Sequence, residues 1–419
     1  MRRLVPLAVA VCLGSSLFAA DTPATWPQWR GPTRDGKVGG PAWPDKLSPD
    51  HLTQTWRVDL GPGYPGPIVA EDRVFVAETK DRKWEVVRAL DRKTGKPLWE
   101  AQWDGAMTVP FFAASNGSWI RSTPAYDGEC LYVAGMCDLL VCLDAKTGKE
   151  RWKVDFKERY KSPLPAFGCV CSPLVQGDDL YLQAGASFVK LDKKTGATIW
   201  RTLVDDGGMY GSAFSSPAMA TIQSKPQVLV QTREKLAGVD PADGKVLWSK
   251  DVPAMRGMNI LTPVAYGDAV FTSAHSAKSY LFAIGKDGDA LTAKEAWTTK
   301  DQAYMASPVV IDGHAYLLKR GRADTRQPMI CIDLARGETK WTSDKEFGQY
   351  CSMAVQGDKI LALDNNGMLR LIRATPEKFD LLDERQISEQ QTWAHLAVCG
   401  DEVFVREQNG IAAFRWKKP

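Results

Sequence analysis

The chain has 419 residues, 53 Lys+Arg against 50 Asp+Glu, a formal charge of +3, and 15 Trp but 4 His. This near-neutral balance gives no bulk electrostatic case for nucleic acid, and four scattered His exclude a His-rich metal site. Length alone suggests two or three domains, and beyond residue 20 no apolar run approaches the roughly 18 residues that would make the chain transmembrane.

At the N-terminus, Arg2 and Arg3 precede an apolar stretch, Leu4 to Leu13, and small residues up to Ala19 and Ala20. This pattern predicts a signal peptide over residues 1–20, and hence a periplasmic or secreted bacterial protein. An uncleaved anchor is the rival reading, against which the apolar stretch is short. Lipidation at Cys12 is a second rival, against which Val11 is bulky and Cys12 sits inside the apolar run. Eight cysteines remain after cleavage. Export would permit disulfides, and their pairing stays open. No CxxC is present, and the spacing of Cys137, Cys142, Cys169 and Cys171 is wrong for a zinc knuckle. Residues 21–53 form an N-terminal arm. Its Trp26-Pro27-Gln28-Trp29-Arg30-Gly31-Pro32 is expected to clamp a ring closure or to present a hydrophobic handle to a partner.

From residue 54 the chain repeats itself. Four segments are near copies: Leu90-Asp91 through Gly95 to Trp99, Leu143-Asp144 through Gly148 to Trp152, Leu191-Asp192 through Gly196 to Trp200, and Val239-Asp240 through Gly244 to Trp248. Weaker copies end at Trp297 and Trp341, and near residue 379 Phe379 or Leu381 is expected in the tryptophan's place. Ahead of each copy a small residue, often followed by proline, opens an apolar stretch. Examples are Thr123-Pro124, Ser172-Pro173, Ser216-Pro217, Thr262-Pro263 and Ser307-Pro308, then Ser352-Met353 and His395-Leu396. Gly/Asp turns separate runs such as Val74-Phe75-Val76 and Val403-Phe404-Val405, whose content describes antiparallel strands.

Each unit therefore holds four strands, and there are eight units. That predicts an all-β fold, an eight-bladed β-propeller of four-stranded antiparallel blades over residues 54–419. The last unit lacks its fourth strand, while Thr55 to Leu60 is a surplus strand at the other end. A ring closed by the N-terminal strand resolves both and removes exposed edges, which an open solenoid would not. In each repeat Asp accepts from turn amides, Thr caps the turn and Gly supplies positive φ. The tryptophans Trp56, Trp99, Trp152, Trp200, Trp248, Trp297 and Trp341 are expected to dock adjacent blades, their indole N–H bonded to backbone.

The Asp-x-x-Thr-Gly-x-x-x-Trp unit over residues 54–416 resembles the pyrroloquinoline-quinone-type (PQQ-type) propeller repeat family. Two branches share it, the quinoprotein alcohol dehydrogenases and the scaffold lipoprotein of the outer-membrane barrel assembly machinery, the latter similar in size. The Trp26–Pro32 segment also resembles a group of secreted bacterial propellers. The dehydrogenase branch implies two adjacent cysteines against the quinone and a calcium set of Glu, Asn and Asp. Here the nearest equivalent is Cys169-Val170-Cys171, and no such calcium set can be placed. No catalytic or metal residue is therefore carried over.

The segments entering the first strands gather near the axis. They offer Arg121, Phe167, Cys169, Cys171, Tyr210, Arg256, Asn259, Tyr304, Tyr350, Trp393 and His395 as a candidate binding rim. The leading expectation is a non-catalytic binding or assembly module, monomeric and without cofactor. An unknown protein or small ligand would sit at its axial face. The alternative is a quinone-dependent dehydrogenase with an atypical site, which would use PQQ and calcium. A structural protein of the cell envelope is a third reading.

Overall fold

The computed structural model describes residues 24–207, 213–321 and 326–417. The expected signal peptide, Cys12 and Tyr210 lie outside them. The described chain forms eight four-stranded antiparallel sheets arranged as the blades of a propeller. Blade 1 consists of Ile68–Val69, Arg73–Lys80, Trp84–Asp91 and Pro97–Asp104. Blade 8 takes Ala397–Cys399, Glu402–Glu407 and Gly410–Trp416 from the C-terminal end, and Leu52–Asp59 supplies its outermost strand. Antiparallel pairing of Leu52 with Trp416 through Asp59 with Gly410 closes the ring.

The burial pattern follows from this geometry. Strands in the middle of a blade are covered on both faces by neighbouring blades, so Val74 to Ala77 read as an unbroken apolar run and the polar Glu78 and Thr79 after it are buried as well. Pro97–Asp104 lies at the circumference and is mostly exposed. The core is accordingly a set of layers between blades. One layer packs Phe75, Val87 and Ala89 of blade 1 against Leu131, Val133 and Val141 of blade 2.

The repeated turn is held by short-range bonds. Asp91 Oδ1 accepts from Thr94 N at 2.8 Å and Thr94 Oγ1 at 2.7 Å, and Asp144 with Thr147 does the same. The tryptophan of one blade lies against the turn of the next. Trp99 Nε1 donates to Ala145 O at 3.1 Å, and its ring covers Gly148, where a Cβ would come within 2.5 Å of it. Trp56, Trp152, Trp200, Trp297 and Trp341 likewise donate to backbone oxygens of Arg92, Lys193, Pro241, Leu334 and Thr375 in the following blade.

Two junctions differ. Trp248 donates to Gln227 Oε1 at 2.6 Å within its own blade. The next blade's hairpin runs on through Ser279–Asp287 and Ala290–Thr299 without the Asp-x-x-Thr-Gly turn, and Ile284 O there accepts from Gln223 Nε2 at 3.0 Å in the tryptophan's stead. In blade 7 the tryptophan position, opposite Leu371, is held by Asp383 and not by Phe379 or Leu381. The hairpin there is two residues longer, since Ile372 pairs with Leu381 where Val239 pairs with Val246. Phe379 instead packs edge-on to Trp341. The arm takes over at this junction. Leu47 N donates to Asp383 Oδ2 at 2.8 Å, Arg385 Nη1 donates to Leu47 O at 3.0 Å, and Trp43 stacks on Trp416 at 5.4 Å.

Candidate functional site

The Ser/Thr-Pro steps build the inner wall of the ring. Gly66 N donates to Thr123 Oγ1 (2.9 Å), Thr123 N to Ser172 Oγ (3.1 Å) and Ser172 N to Ser216 Oγ (2.9 Å). Thr262 N donates to Ser307 Oγ (3.1 Å), and Leu396 N donates back to Ser352 Oγ (3.3 Å). In the first four of these bonds proline follows the donor and has no N–H to satisfy, and the five together form a girdle that joins neighbouring blades. The repeated Ser/Thr was visible in the sequence, but only as the start of a strand.

The arm occupies the space inside this girdle. Trp26 exchanges backbone hydrogen bonds with Val69 of blade 1, and Pro27 O accepts from Tyr126 N of blade 2. Arg34 donates to Ser172 O (3.1 Å) and Pro173 O (2.8 Å) of blade 3, and Trp29 Nε1 to Thr262 Oγ1 (3.2 Å) of blade 5. Arg30 donates to Pro308 O of blade 6, and the His395 ring of blade 8 stacks on Trp26 and meets Trp29 edge-on. One segment, Trp26 to Arg34, thus touches six of the eight blades and fills the axis. Trp26 is 2% exposed, so it is an internal plug and not a handle. Arg30 and Arg34 were not among the expected site residues. Their partners lie 278 and 138–139 residues away, beyond any local signal.

The expected rim residues separate into three groups. Arg121, Tyr350 and Trp393 meet around Tyr64. The Arg121 guanidinium lies 5.1 Å over the Tyr64 ring, Tyr64 packs edge-on to Trp119 and Trp393, and Trp393 stacks on Tyr350. Arg121 is anchored by Gly117 O at 2.7 Å, and burial lowers its pKa. Phe167 and Arg256 belong to a second group, a ladder running Phe111, Phe112, Phe167 and Phe214 with ring spacings of 5.7, 6.3 and 5.8 Å. The Arg256 guanidinium lies 5.7 Å over Phe112. Phe111 is 90% and Phe112 44% exposed, and Met255 beside Arg256 is exposed as well.

The third group is internal. Asn259 is buried, with Nδ2 donating to Thr232 O, Arg233 O and Val252 O. Tyr304 is buried beside His275. Cys169 and Cys171 are buried thiols, and burial pushes Cys171 up to about 12 and Cys169 well above its usual value. His395 faces the plug, with Nδ1 2.7 Å from Leu396 O. Burial, helped by Arg30, pulls its pKa down to about 3, so it is a neutral packing residue. These residues stand at the repeat positions that enter first strands, but their side chains turn into the blades or toward the arm.

A quinone with calcium would need open space and carboxylate ligands on the axis. The axial position is taken by Trp26 to Arg34, and Cys169 and Cys171 face the core between blades 2 and 3. Among the described residues no three His, Cys, Asp or Glu converge as a ligand set. The buried carboxylates are tied within or between blades. Glu85, pushed up to about 7 by burial, accepts from Trp103 Nε1 (2.7 Å) and Met136 N (2.6 Å). Glu78 pairs with Arg88 at 2.7 Å, and Asp138 accepts from Gly185 N at 2.8 Å. The residues present do not fit the pair.

Comparison with known proteins places these features in context. The family described as outer membrane protein assembly factor BamB matches residues 83–343. The outer membrane protein assembly factor BamB of Moranella endobia is 22% identical over 355 residues, covering 82% of this chain and 83% of that relative. The crystal structure of BamB from Moraxella catarrhalis superposes with a TM-score of 0.61 at 14% identity, over 88% of this chain and 98% of that one. A quinohemoprotein alcohol dehydrogenase of Pseudomonas putida reaches the same TM-score of 0.61 at 14% identity, over 95% and 82%. At that identity the two structural likenesses establish the fold alone.

Proposed function

Because the chain belongs to the family of the outer membrane protein assembly factor BamB, we propose that it is an exported, periplasmic scaffold that takes part in assembling outer membrane proteins. It works without catalysis or cofactor, as a single ring, by holding a protein partner on its rim. The observation that carries this reading is the ladder Phe111, Phe112, Phe167 and Phe214, half-buried at Phe167 and Phe214 and exposed at Phe111 and Phe112, flanked by Met255 and Arg256. Aromatic rings, Met and Arg are the side chains enriched at protein interfaces, and a nine-tenths exposed Phe has no packing role within the ring. With the axis filled by the arm, the rim is where a partner has access.

The alternative, a quinone-dependent dehydrogenase, would have to place its cofactor where Trp26 to Arg34 lie. A photo-crosslinking residue at Phe111, introduced into the full chain in its own cells, tests the scaffold reading. Crosslinks to a component of the outer membrane assembly machinery are expected. The same probe at Leu98, exposed on the outer strand of blade 1, should give none. Equal labelling at both positions, or turnover of alcohols by the purified chain given quinone and calcium, would refute it.

A further inference from the structure

Among the described residues three arginines are wholly buried and bonded mainly to carbonyl oxygens, and they differ in what balances their charge. Arg406 donates to Gly410 O (3.0 Å) and Gly61 O (2.6 Å), with the Glu78 and Glu407 carboxylates acting on it. Arg30 donates to Asp35 O and Pro308 O, and the Asp35 carboxylate acts on it. Arg34 has no such partner. It donates to Ser172 O, Pro173 O and Gln28 Oε1, and the charged group nearest in effect is Arg30, which repels it. The Cys171 thiol beside it, pushed up to about 12 by burial, is neutral and supplies no counter-charge. Burial holds Arg34 down at about 9, lower than Arg30 and Arg406 at about 10.

Carbonyl dipoles satisfy N–H groups but do not neutralise a charge, and a buried cation without an opposite charge costs several kcal/mol. Two N–H groups in this cluster are also buried with no acceptor, Arg34 Nε and Arg30 Nη1. Both belong to the segment that fills the girdle, where the Asp35 carboxylate acts on Arg30 alone and the neutral His395 ring adds no further positive charge.

We propose that the Arg30–Arg34 turn of the arm, packed inside the girdle, binds one small monovalent inorganic anion of the halide class, held against the free N–H groups of Arg34 and Arg30. The site is independent of the scaffold reading. An anion there would act as an internal counter-ion, fixing the arm in the ring by giving Arg34 what Glu78 and Glu407 give Arg406.

Chloride is the probe. Unfolding of the full chain is followed while chloride replaces gluconate at constant ionic strength. Stability should rise with chloride, the folded-to-unfolded ratio increasing about a hundredfold at a hundred times the dissociation constant. In Arg34→Met, which keeps the aliphatic stem, the dependence should vanish. Should that variant fail to fold, bromide soaked into crystals of the unsubstituted chain decides the matter, with an anomalous peak expected beside Arg34. A stability indifferent to chloride, a chloride response undiminished in Arg34→Met, or bromide found at surface positions alone would overturn the proposal. The carbonyl cradle would then be the whole of the arginine's environment.

Discussion

Docking of one blade on the next is tested most sharply by two glycines with similar backbones and different surroundings. Gly148 has φ +73 and Gly177 has φ +61, so alanine at either pays the left-handed penalty of about 1–2 kcal/mol. Nothing lies within 4 Å of a Cβ at Gly177. At Gly148 the Cβ would sit 2.5 Å from Trp99 Cε3 and 2.7 Å from Cδ2, well inside van der Waals contact. The indole cannot simply retreat, because its Nε1 is bonded to Ala145 O three residues earlier in the same turn. Overpacking of this kind costs about 1–3 kcal/mol, and a lost indole bond adds about 1 kcal/mol. Gly148→Ala should therefore destabilise the ring by about 2–4 kcal/mol more than Gly177→Ala. Urea unfolding read by tryptophan fluorescence and by far-ultraviolet circular dichroism measures the difference, provided the two transitions coincide. In a Trp99→Ala background the excess cost of Gly148→Ala should disappear, giving a coupling energy of about 2–4 kcal/mol. Equal effects of the two glycine substitutions, or an excess that survives without Trp99, would refute the docking argument.

Gln227→Met removes the acceptor of the displaced Trp248 indole and leaves a buried N–H without a partner, so a loss of about 1–3 kcal/mol is expected in the same urea assay. Adding Trp248→Phe should recover part of that loss, and no recovery would mean the bond is not its source. His395 has a folded pKa of about 3 against 6.5 for the free side chain. The unfolded chain therefore binds the extra proton as pH falls, and the stabilisation present above 6.5 is lost between about 6.5 and about 3. The stability of the native chain minus that of His395→Gln should fall by roughly 1.4 kcal/mol per pH unit across that window. A flat difference would show that the imidazole is not held neutral against the plug.

The fold was legible because its signals are local. Asp91 bonds Thr94 three residues on, and Gly95 turns the chain at once, so each repeat announces its own hairpin. The ring followed from counting, since a surplus strand at Thr55 and a missing strand after Trp416 have one joint solution. What stayed hidden depends on distance. The acceptor of Thr123 N is Ser172, a repeat away, and nothing within either segment distinguishes a girdle from a strand start. Arg30 and Arg34 sit in an arm with no period to read, and their carbonyl partners belong to other blades. At Asp383 a hairpin two residues longer moved the docking position, which spacing carried over from the other repeats could not anticipate. Asn259 and His395 occupy rim positions by count, but whether a side chain at a strand start faces the axis, the blade or the arm is decided by φ, ψ and neighbours. Arg256 at φ +57 beside Asn259 is one place where the backbone makes that choice.

These long-range contacts also bear on where a partner can bind. An eight-bladed ring leaves an axial channel that can be spent on a ligand or on its own chain. Here the girdle hydroxyls already accept backbone amides, and the oxygens of Ser172, Pro173 and Pro308 already receive Arg34 and Arg30. A ligand of quinone size at that level would have to displace Trp26 from backbone pairing with Val69 and unstack His395. It would also have to displace the carbonyl oxygens that hold two guanidinium groups away from water, and a neutral organic ligand offers those groups no counter-charge in return. The rim carries no such obligation. Phe111 has nothing to give up on binding except its contact with water, so association there keeps nearly all of the apolar area it buries. Under the scaffold function proposed above, the arm that closes the axis is thus also what leaves the aromatic ladder as the surface for recognition.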